Sequence, residues 1–286
     1  MRARVIFTFI RYEIKRSIAR RKIIVLALFT LLIGTVPYIG LANLHHALSL
    51  IPASDYPYLW VAGVFLPQGL FIQFTAILVA AGAMSEEYEQ GTAELLLSKP
   101  VAKTEYFLGK FLGGYSLIAF IILLNMVLAV ASATITFGQQ ASLSVLPGVF
   151  VAQAYAALLF FTVAFMIGEL IRRSSLSYIF SAALFFTSTI FGLYLSVIYT
   201  LTGNAFYRQV QLYIPSSPIS SLPLLYANGS LPSGVSSLLG TIEGLAGGGV
   251  ETSIPFSILL ILLYFAAAFI VAFVFFELSD VSRKVS

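Results

Sequence analysis

The residues with the clearest chemical potential lie in one short polar stretch, SEEYEQGTAELLLSKPVAKTEYF, at positions 85–107. It carries five glutamates and two lysines, and it lies between two long apolar runs. Charges at a protein surface orient a partner more than they add affinity. This patch is the best clue to function in the sequence.

Turn-forming residues divide this stretch. We expect the preceding apolar helix to end in a polar turn at 85–89 and Gly91 to break it. Thr92 is then placed to cap a short new helix. Pro100 ends that helix because the residue before a proline avoids helical angles. Thr104 is expected to cap the next long helix.

The short helix has two interpretations. Its leucines, Leu95, Leu96 and Leu97, are too few to span a membrane and too apolar to be left in water. A short helix with apolar residues and flanking charges fits the groove of a soluble partner. An ordinary connection tucked against its own bundle has the same pattern, so the residues alone leave both interpretations open.

The elements that must position this stretch are membrane helices. The chain has 59% hydrophobic and 10% charged residues and a mean hydropathy of +0.96, which is typical of an integral membrane protein. Its apolar residues fall in runs long enough for helical spans. We predict an all-α fold, with residues 1–286 forming a single transmembrane domain of six spans. The predicted spans are 23–44, 58–84, 106–136, 148–170, 175–202 and 254–276.

The basic residues predict the orientation of the chain. If both termini lie on one side, only Arg208 among the sixteen lysines and arginines falls on the other side. Loops rich in Lys and Arg stay in the cytoplasm. We therefore place both termini and segment 85–105 in the cytoplasm. The net charge of +4 reflects this bias, and no nucleic-acid-binding module is visible.

The N-terminal segment 1–22 places Ile6, Ile10, Ile14 and Ser17 in one row at helical spacing, with cations on both flanks. This pattern suits an interfacial elbow helix whose cations reach lipid phosphates. The simpler interpretation is a basic anchor for the first span.

The segment 203–253 is expected on the extracytoplasmic side. It is rich in proline, glycine and serine, with modest apolar pieces between them. Those pieces are consistent with short helices that dip toward the membrane or cover the bundle. A flexible loop is the alternative interpretation.

Polar side chains are few within the spans. Gln68, Gln73 and Asn125 either hydrogen-bond across helices or line a substrate path, and packing is the more common role. Pro67 should kink the second span. No span carries a central charge, and Glu169 has Arg172 close by for an ion pair. If the chain transports a substrate, the apolar spans favour a hydrophobic or amphipathic one.

Catalytic and metal sites are not predicted. Cysteine is absent, so thiolate chemistry is excluded. His45-His46 with Asp55 matches no catalytic spacing, and no Gly-x-Ser-x-Gly elbow occurs. Gly109-Lys110 lacks the other residues of a phosphate-binding Walker A loop, so the chain is not expected to hydrolyse ATP or to bind a cofactor by itself. An intramembrane enzyme is accordingly the least favoured class.

One run of residues resembles a known family. EQGTAELLLSKPV at positions 89–101, followed by Lys103, Glu105 and Gly109-Lys110, is similar to the cytoplasmic signature of ABC-2 type permeases, the membrane subunits of ABC transporters. Tyr12-Glu13-Ile14 with Arg20-Arg21-Lys22 also resembles the opening segment of that family. The specific motif covers about twenty residues, whereas the similarity in topology covers the whole chain.

The resemblance implies a function. In such permeases the short helix is a coupling helix seated on a separate ATP-binding subunit, which holds ATP and Mg²⁺. Two such subunits serve two permease copies, identical or related, in the plasma membrane of a host that is expected to be prokaryotic. Export predominates in the family, while the substrate stays open. A membrane scaffold or sensor using the same ATPase contact is the main alternative. The implied contact residues are Glu86, Glu87, Glu89, Gly91, Thr92, Glu94, Leu95, Leu96, Leu97, Lys99 and Pro100.

Overall fold

The computed structural model describes residues 3–43, 53–98, 101–229, 231, 235 and 252–279, and all regular structure in these ranges is helical. Six helical stretches are long and apolar enough to cross a membrane, which confirms the predicted all-α membrane fold. The α-helices are α1 (Ala3–Ala19), α2 (Arg21–Asn43), α3 (Trp60–Phe65), α4 (Gln73–Glu89), α5 (Thr92–Leu97), α6 (Lys103–Phe137), α7 (Leu146–Ile171), α8 (Ser174–Thr202), α9 (Ala205–Leu212), α10 (Ser216–Asn228) and α11 (Ile254–Leu278).

The bundle has two chemically different ends. We call one the basic end, where α1, α5 and the α7–α8 junction at Arg172-Arg173 lie. The other is the far end, where α6 ends and α7 begins. The tight connection between α7 and α8 is possible because Arg172 takes the left-handed conformation, with a φ of 56°.

Helix α1 packs along α6. Phe9, Glu13 and Ser17, four residues apart, form its buried face. A Cβ atom added at Gly113 of α6 would lie 2.7 Å from the Cβ of Glu13, and one at Gly109 would lie 2.4 Å from that of Phe9. Small residues four positions apart let two helices approach closely in a membrane. The segment predicted as an interfacial helix is therefore a separate helix covered along one face by α6.

The second span is broken at Pro67. Helix α3 ends at Phe65, and the chain passes through a π-helical segment, Gln68–Ile72, before α4 begins. Helix α3 touches α2 closely: a Cβ added at Gly63 would lie 2.3 Å from the carbonyl oxygen of Gly34. Proline is a common cause of such breaks because it lacks an N–H and clashes with the preceding turn.

An aromatic cluster joins three helices in the basic half of the bundle. The ring of Phe111 on α6 lies 5.1 to 5.3 Å from the rings of Phe161 and Phe165 on α7 and Phe269 on α11. All three contacts are edge-to-face, a geometry that aromatic pairs favour. The cluster fixes α7 between α6 and α11.

Helices α9 and α10 form a hairpin that reaches only half-way along α8. The backbone N–H of Ser216 donates to the hydroxyl of Ser188 at 3.0 Å, and the Ser216 hydroxyl donates to the Ser188 carbonyl at 3.1 Å. Ser188 is central in α8, about 21 Å from each helix end at 1.5 Å per residue. Helix α10 then returns to the far end, where Tyr226 packs on Gly148 at the start of α7.

Candidate functional site

The short helix α5 projects from the basic end. Gly91, with a φ of 68°, precedes it in the left-handed conformation that glycine adopts at little cost. Thr92 is the first residue of α5 rather than its cap, and its hydroxyl donates to the carbonyl of Glu87 at 3.4 Å. Thr104 is not a cap either, because α6 begins at Lys103 with Ala102 before it. Lys99 and Pro100 lie outside the described residues.

Only part of α5 is presented outward. Glu94 is exposed, and the Leu95 side chain is 69% exposed. Leu96 and Leu97 pack partly against the core, and Ala93 is buried. The outward surface of α5 is therefore a neighbouring carboxylate and leucine, not the whole leucine triad.

Helix α4 continues through Glu89, so the polar turn expected at 85–89 is wrong. Glu86 and Glu87 are buried in the last turns of α4. Helix α4 does not end where its apolar residues do, because cations from other helices neutralise both carboxylates. Glu89 is exposed, and its carboxylate accepts hydrogen bonds from the backbone N–H and hydroxyl of Ser174 at the start of α8.

The Glu87 carboxylate contacts α6 and α1. It is fully buried, forms an ion pair with the ammonium of Lys110, and accepts a hydrogen bond from the Tyr106 hydroxyl. The Arg16 guanidinium on α1 lies 3.1 Å from it. Partial burial raises the pKa of the nearby Tyr12 hydroxyl, and the negative charge of Glu87 raises it further, so this phenol stays neutral.

The Glu86 carboxylate contacts the α1–α2 junction and α8. The Nε of Arg20 lies 2.9 Å from it, and the ammonium of Lys22 lies 2.5 Å from it. The Tyr178 hydroxyl of α8 donates to the same carboxylate. Lys22 also stands 4.0 Å from the centre of the Tyr178 ring.

Lys110 and Glu13 lie at the centre of this cluster, and both are fully buried. Their Nζ and Oε2 atoms are 2.5 Å apart. Lys110 thus binds two carboxylates, those of Glu13 and Glu87. We call Glu13, Arg16, Arg20, Lys22, Glu86, Glu87 and Lys110 the charge cluster. Lys110 is one of the cations expected on the cytoplasmic side, and the Gly109-x-x-x-Gly113 spacing around it is the sequence signal that another helix packs there.

Tyr88, the residue between Glu87 and Glu89, contacts α7. Its hydroxyl donates to the Glu169 carboxylate of α7 at 2.9 Å. Arg172 donates to the same carboxylate at 2.8 Å, as expected from sequence, and to the Ser279 hydroxyl at 2.6 Å. The end of α4 is therefore tied to the ends of α7 and α11.

The amides in the spans have different roles. Pro67 has no N–H to offer the Gly63 carbonyl, and the Asn125 side chain donates to that carbonyl at 3.2 Å. The Gln153 side chain donates to the next carbonyl, that of Val64, at 3.1 Å. This hydrogen bond gives Asn125 a structural role. Its part in a substrate path stays a prediction.

Gln68 and Gln73 are more unusual. Both are buried, and neither side-chain amide has a hydrogen-bond partner in the described part of the structure. Leaving a buried polar group unpaired costs about 1 to 3 kcal/mol. They remain predicted residues of a substrate path, on the π-helical segment and at the start of α4.

Metal ligands are not grouped in the described ranges, where no set of three His, Asp or Glu residues lies close enough to hold an ion. His45 and His46 lie outside those ranges, whereas Asp55 lies in a 3-10 turn between α2 and α3.

The comparison with protein families decides the identity of the fold. The family model described as "ABC-2 family transporter protein" matches residues 8–281. The chain belongs to this ABC-2 family. A comparison with curated proteins found no match. The match confirms the resemblance inferred from positions 89–101, and it makes the chain a multi-pass permease component whose family in general works with an ABC ATP-binding protein. In this ABC-2 permease, the signature stretch spans the exposed helix α5 and adjoins the charge cluster.

Proposed function

We propose that this ABC-2 permease is the membrane subunit of an ATP-driven exporter, and that α5 is its coupling helix. Two ATP-binding subunits, which hold ATP and Mg²⁺, pair with two permease copies, identical or related. The basic end and both termini lie in the cytoplasm of a prokaryotic host, and the membrane is the plasma membrane. The family membership supports the class of protein, and the bonds around α4 and α5 support the mechanism.

One observation carries the proposal. Four consecutive residues, 86–89, bind five other helices immediately before the partly exposed helix α5. Glu86 binds α2 and α8 through Lys22 and Tyr178. Glu87 binds α1 and α6, Tyr88 binds α7, and Glu89 binds α8.

This arrangement suits transmission of movement. Only Gln90 and Gly91 separate the bonded residues from α5. Packed helices and buried ion pairs move as units because interiors are dense and deform little. A displacement of α5 by a partner therefore moves the ends of six helices together, including α4 itself.

The implied contact residues differ in exposure, and we assign them different roles on that basis. Glu94 and Leu95 are exposed, so we assign them to the direct contact with the ATP-binding subunit. Glu86 and Glu87 are buried within the chain, so we assign them to transmission rather than to contact. Lys99 and Pro100 keep the proposed contact role from the family motif.

The proposed substrate is hydrophobic or amphipathic. The described polar groups in the middle of the bundle are amides and hydroxyls, while the carboxylates of the charge cluster lie at the basic end. A proton- or ion-coupled carrier would place carboxylates at mid-depth.

A co-purification experiment tests the coupling role. The tagged permease would be expressed with the ABC ATP-binding protein of its host and purified in detergent. We expect the wild type to retain the ATP-binding protein and Glu94→Lys/Leu95→Asp to lose it. The matched control is Leu201→Asp, since Leu201 is 80% exposed at the far end of α8.

The outcomes are distinct. Loss of the partner from the α5 variant, with retention by the control and an unchanged elution profile, supports the proposal. Retention by both variants rejects α5 as the contact. If the ATP-binding protein is retained and its ATPase cycle moves the permease, but no substrate stimulates turnover, the scaffold or sensor alternative is favoured.

A further inference from the structure

An apolar cleft opens beneath the half-length hairpin of α9 and α10. Its floor is α7, its walls are α8 and α11, and its roof is the turn at Tyr213–Pro215. The part along α8 has a volume of about 750 Å³, and the adjoining part along α11 has about 300 Å³. Both parts share Leu184 and Pro215, so we treat them as one site, the subhairpin cleft.

The cleft exists because the hairpin stops at mid-depth. Ser216 is bonded to Ser188, so the turn is fixed at the middle of α8. In the far half of the bundle, α10 covers α7 between α8 and α11. In the basic half, no described residue covers that seam.

The height of the cleft matches one leaflet of a bilayer. Its lining along α8 runs from Phe180 to Phe191, which corresponds to about 16 Å of helix. The hydrocarbon core of a bilayer is about 30 Å thick. The occupant must therefore extend from the basic end to mid-depth and stop there.

The lining is chemically suited to hydrocarbon. Ile167, Leu170 and Ile171 of α7 face Phe180 and Leu184 of α8 across the cleft. Thr187 and Ser188 of α8 contribute hydroxyls, and the Ser188 hydroxyl already accepts a hydrogen bond from the backbone N–H of Ser216. Within the bilayer this lining is as apolar as lipid tails, so an acyl chain can fill the cleft without burying a polar group.

The mouth of the cleft is cationic. The α8 wall of the cleft begins near the basic end: Leu176 lies one turn before Phe180, and Arg173 is the extended residue that immediately precedes α8. Arg173 is exposed and takes part in none of the ion pairs seen among the described residues, whereas Arg172 is bonded to Glu169. The carboxylate of Glu89 binds Ser174, which lies on a different face of α8 from the cleft row.

We propose that the subhairpin cleft binds an anionic phospholipid of the leaflet at the basic end. One acyl chain fills the cleft, and the phosphate headgroup pairs with Arg173. Pro215 closes the cleft at mid-depth, so a partner helix that spans the whole bilayer cannot occupy it along its full length. The proposal does not depend on the ATP-driven function.

Fluorescence quenching by brominated lipids tests the proposal. The chain has a single tryptophan, Trp60, which is buried near the far end and gives a constant background. A reporter would be added as Phe180→Trp in the cleft or, as the control, as Phe29→Trp on α2. Both phenylalanines are about half exposed and lie at a similar depth from the basic end.

The full-length protein would be placed in nanodiscs of phosphatidylcholine with increasing phosphatidylglycerol, each brominated in turn on its acyl chains. We expect the mole fraction of brominated phosphatidylglycerol that quenches half of the fluorescence to be about fivefold lower for the cleft reporter than for the control reporter. This factor corresponds to the effect of one basic side chain on the binding of an anionic lipid. Arg173→Gln should remove this preference, and Arg173→Lys should keep it.

Three results would overturn the proposal. Equal quenching of both reporters by both lipids would mean that the cleft holds ordinary bulk lipid. No quenching of the cleft reporter by either lipid would mean that protein covers the cleft, from this chain or a second copy. A preference that survives Arg173→Gln would remove the headgroup site.

Discussion

The ammonium nitrogen of Lys110 lies 2.5 Å from a carboxylate oxygen of Glu13, and both side chains are completely buried. This pair joins α1 to α6, and Glu87 extends it to α4. Because Lys110 serves two carboxylates, its removal leaves two buried negative charges short of a partner. Breaking one side of a buried ion pair costs about 3 to 5 kcal/mol.

We therefore expect Lys110→Met to lower the stability of the purified permease strongly. Adding Glu13→Gln to that variant should recover part of the loss, since one uncompensated charge is then removed. Thermal unfolding in detergent, followed by size-exclusion profiles, measures both effects. The control is Lys15→Met on the exposed side of α1. If Lys110→Met unfolds at the same temperature as this control, the charge cluster has no role in stability.

Gly113→Ala tests the close approach of α1 and α6. The new Cβ would lie 2.7 Å from the Cβ of Glu13 and 3.1 Å from the backbone of Ile10, so α1 would have to shift away. We expect a lower unfolding temperature and faster proteolysis near α1. Gly40→Ala is the matched control because no described atom lies within 4 Å of its new Cβ. Alanine at that helical position should be neutral or stabilising by about 0.5 to 1 kcal/mol. Equal behaviour of the two variants would contradict this packing.

Gly91 separates the rigid end of α4 from α5 with a φ of 68°. A Cβ there meets nothing within 4 Å, so only the backbone conformation opposes substitution. Left-handed geometry costs an ordinary residue about 1 to 2 kcal/mol, and asparagine tolerates it better. We expect the affinity for the ATP-binding protein to fall in the order wild type, Gly91→Asn, Gly91→Ala, with little change in unfolding temperature. A titration with purified ATP-binding protein measures this, and Gly91→Ala binding as tightly as wild type would argue against the prediction.

Two amides near the Pro67 break, those of Asn125 on α6 and Gln73 on α4, should behave differently. Asn125→Leu removes the donor to the buried Gly63 carbonyl, which should cost about 1 to 3 kcal/mol. Gln73→Leu removes an amide with no hydrogen-bond partner in the described structure and should be neutral or stabilising. Unfolding measurements compare the two. A transport defect in Gln73→Leu without any loss of stability would assign Gln73 to the substrate path, while a marked loss of stability would show that its amide is already satisfied.

The spans could be predicted well from sequence because a long apolar run is by itself the signal of a membrane helix. The six predicted spans agree with the helices to within a few residues at most ends. The largest error, at the end of α4, had a tertiary cause. The cations that neutralise Glu86 come from Arg20 and Lys22, more than sixty positions earlier in the chain. Local turn signals cannot report such partners, so the carboxylates looked like the start of a loop.

The exposed part of the site was easier to predict than the buried part. Gly91 does break the helix, and a short helix does follow it, because these features depend on neighbouring residues. The roles of Leu96 and Leu97 depend on what lies beneath α5. The orientation of Lys110 depends on α1. The glycine pair Gly109 and Gly113 is the local sequence signal for the contact between α1 and α6.

The hairpin of α9 and α10 has a consequence for mapping the topology of the chain. Its turn stops at Ser188 and its second helix returns to Gly148, so residues 205–228 enter and leave by the same end. A reporter fused after Gly203 and another fused after Gly229 should therefore register the same side of the membrane, although an apolar stretch lies between them. We therefore expect the hairpin to leave the number of membrane crossings unchanged, since only the six long helices among the described residues are long and apolar enough to cross.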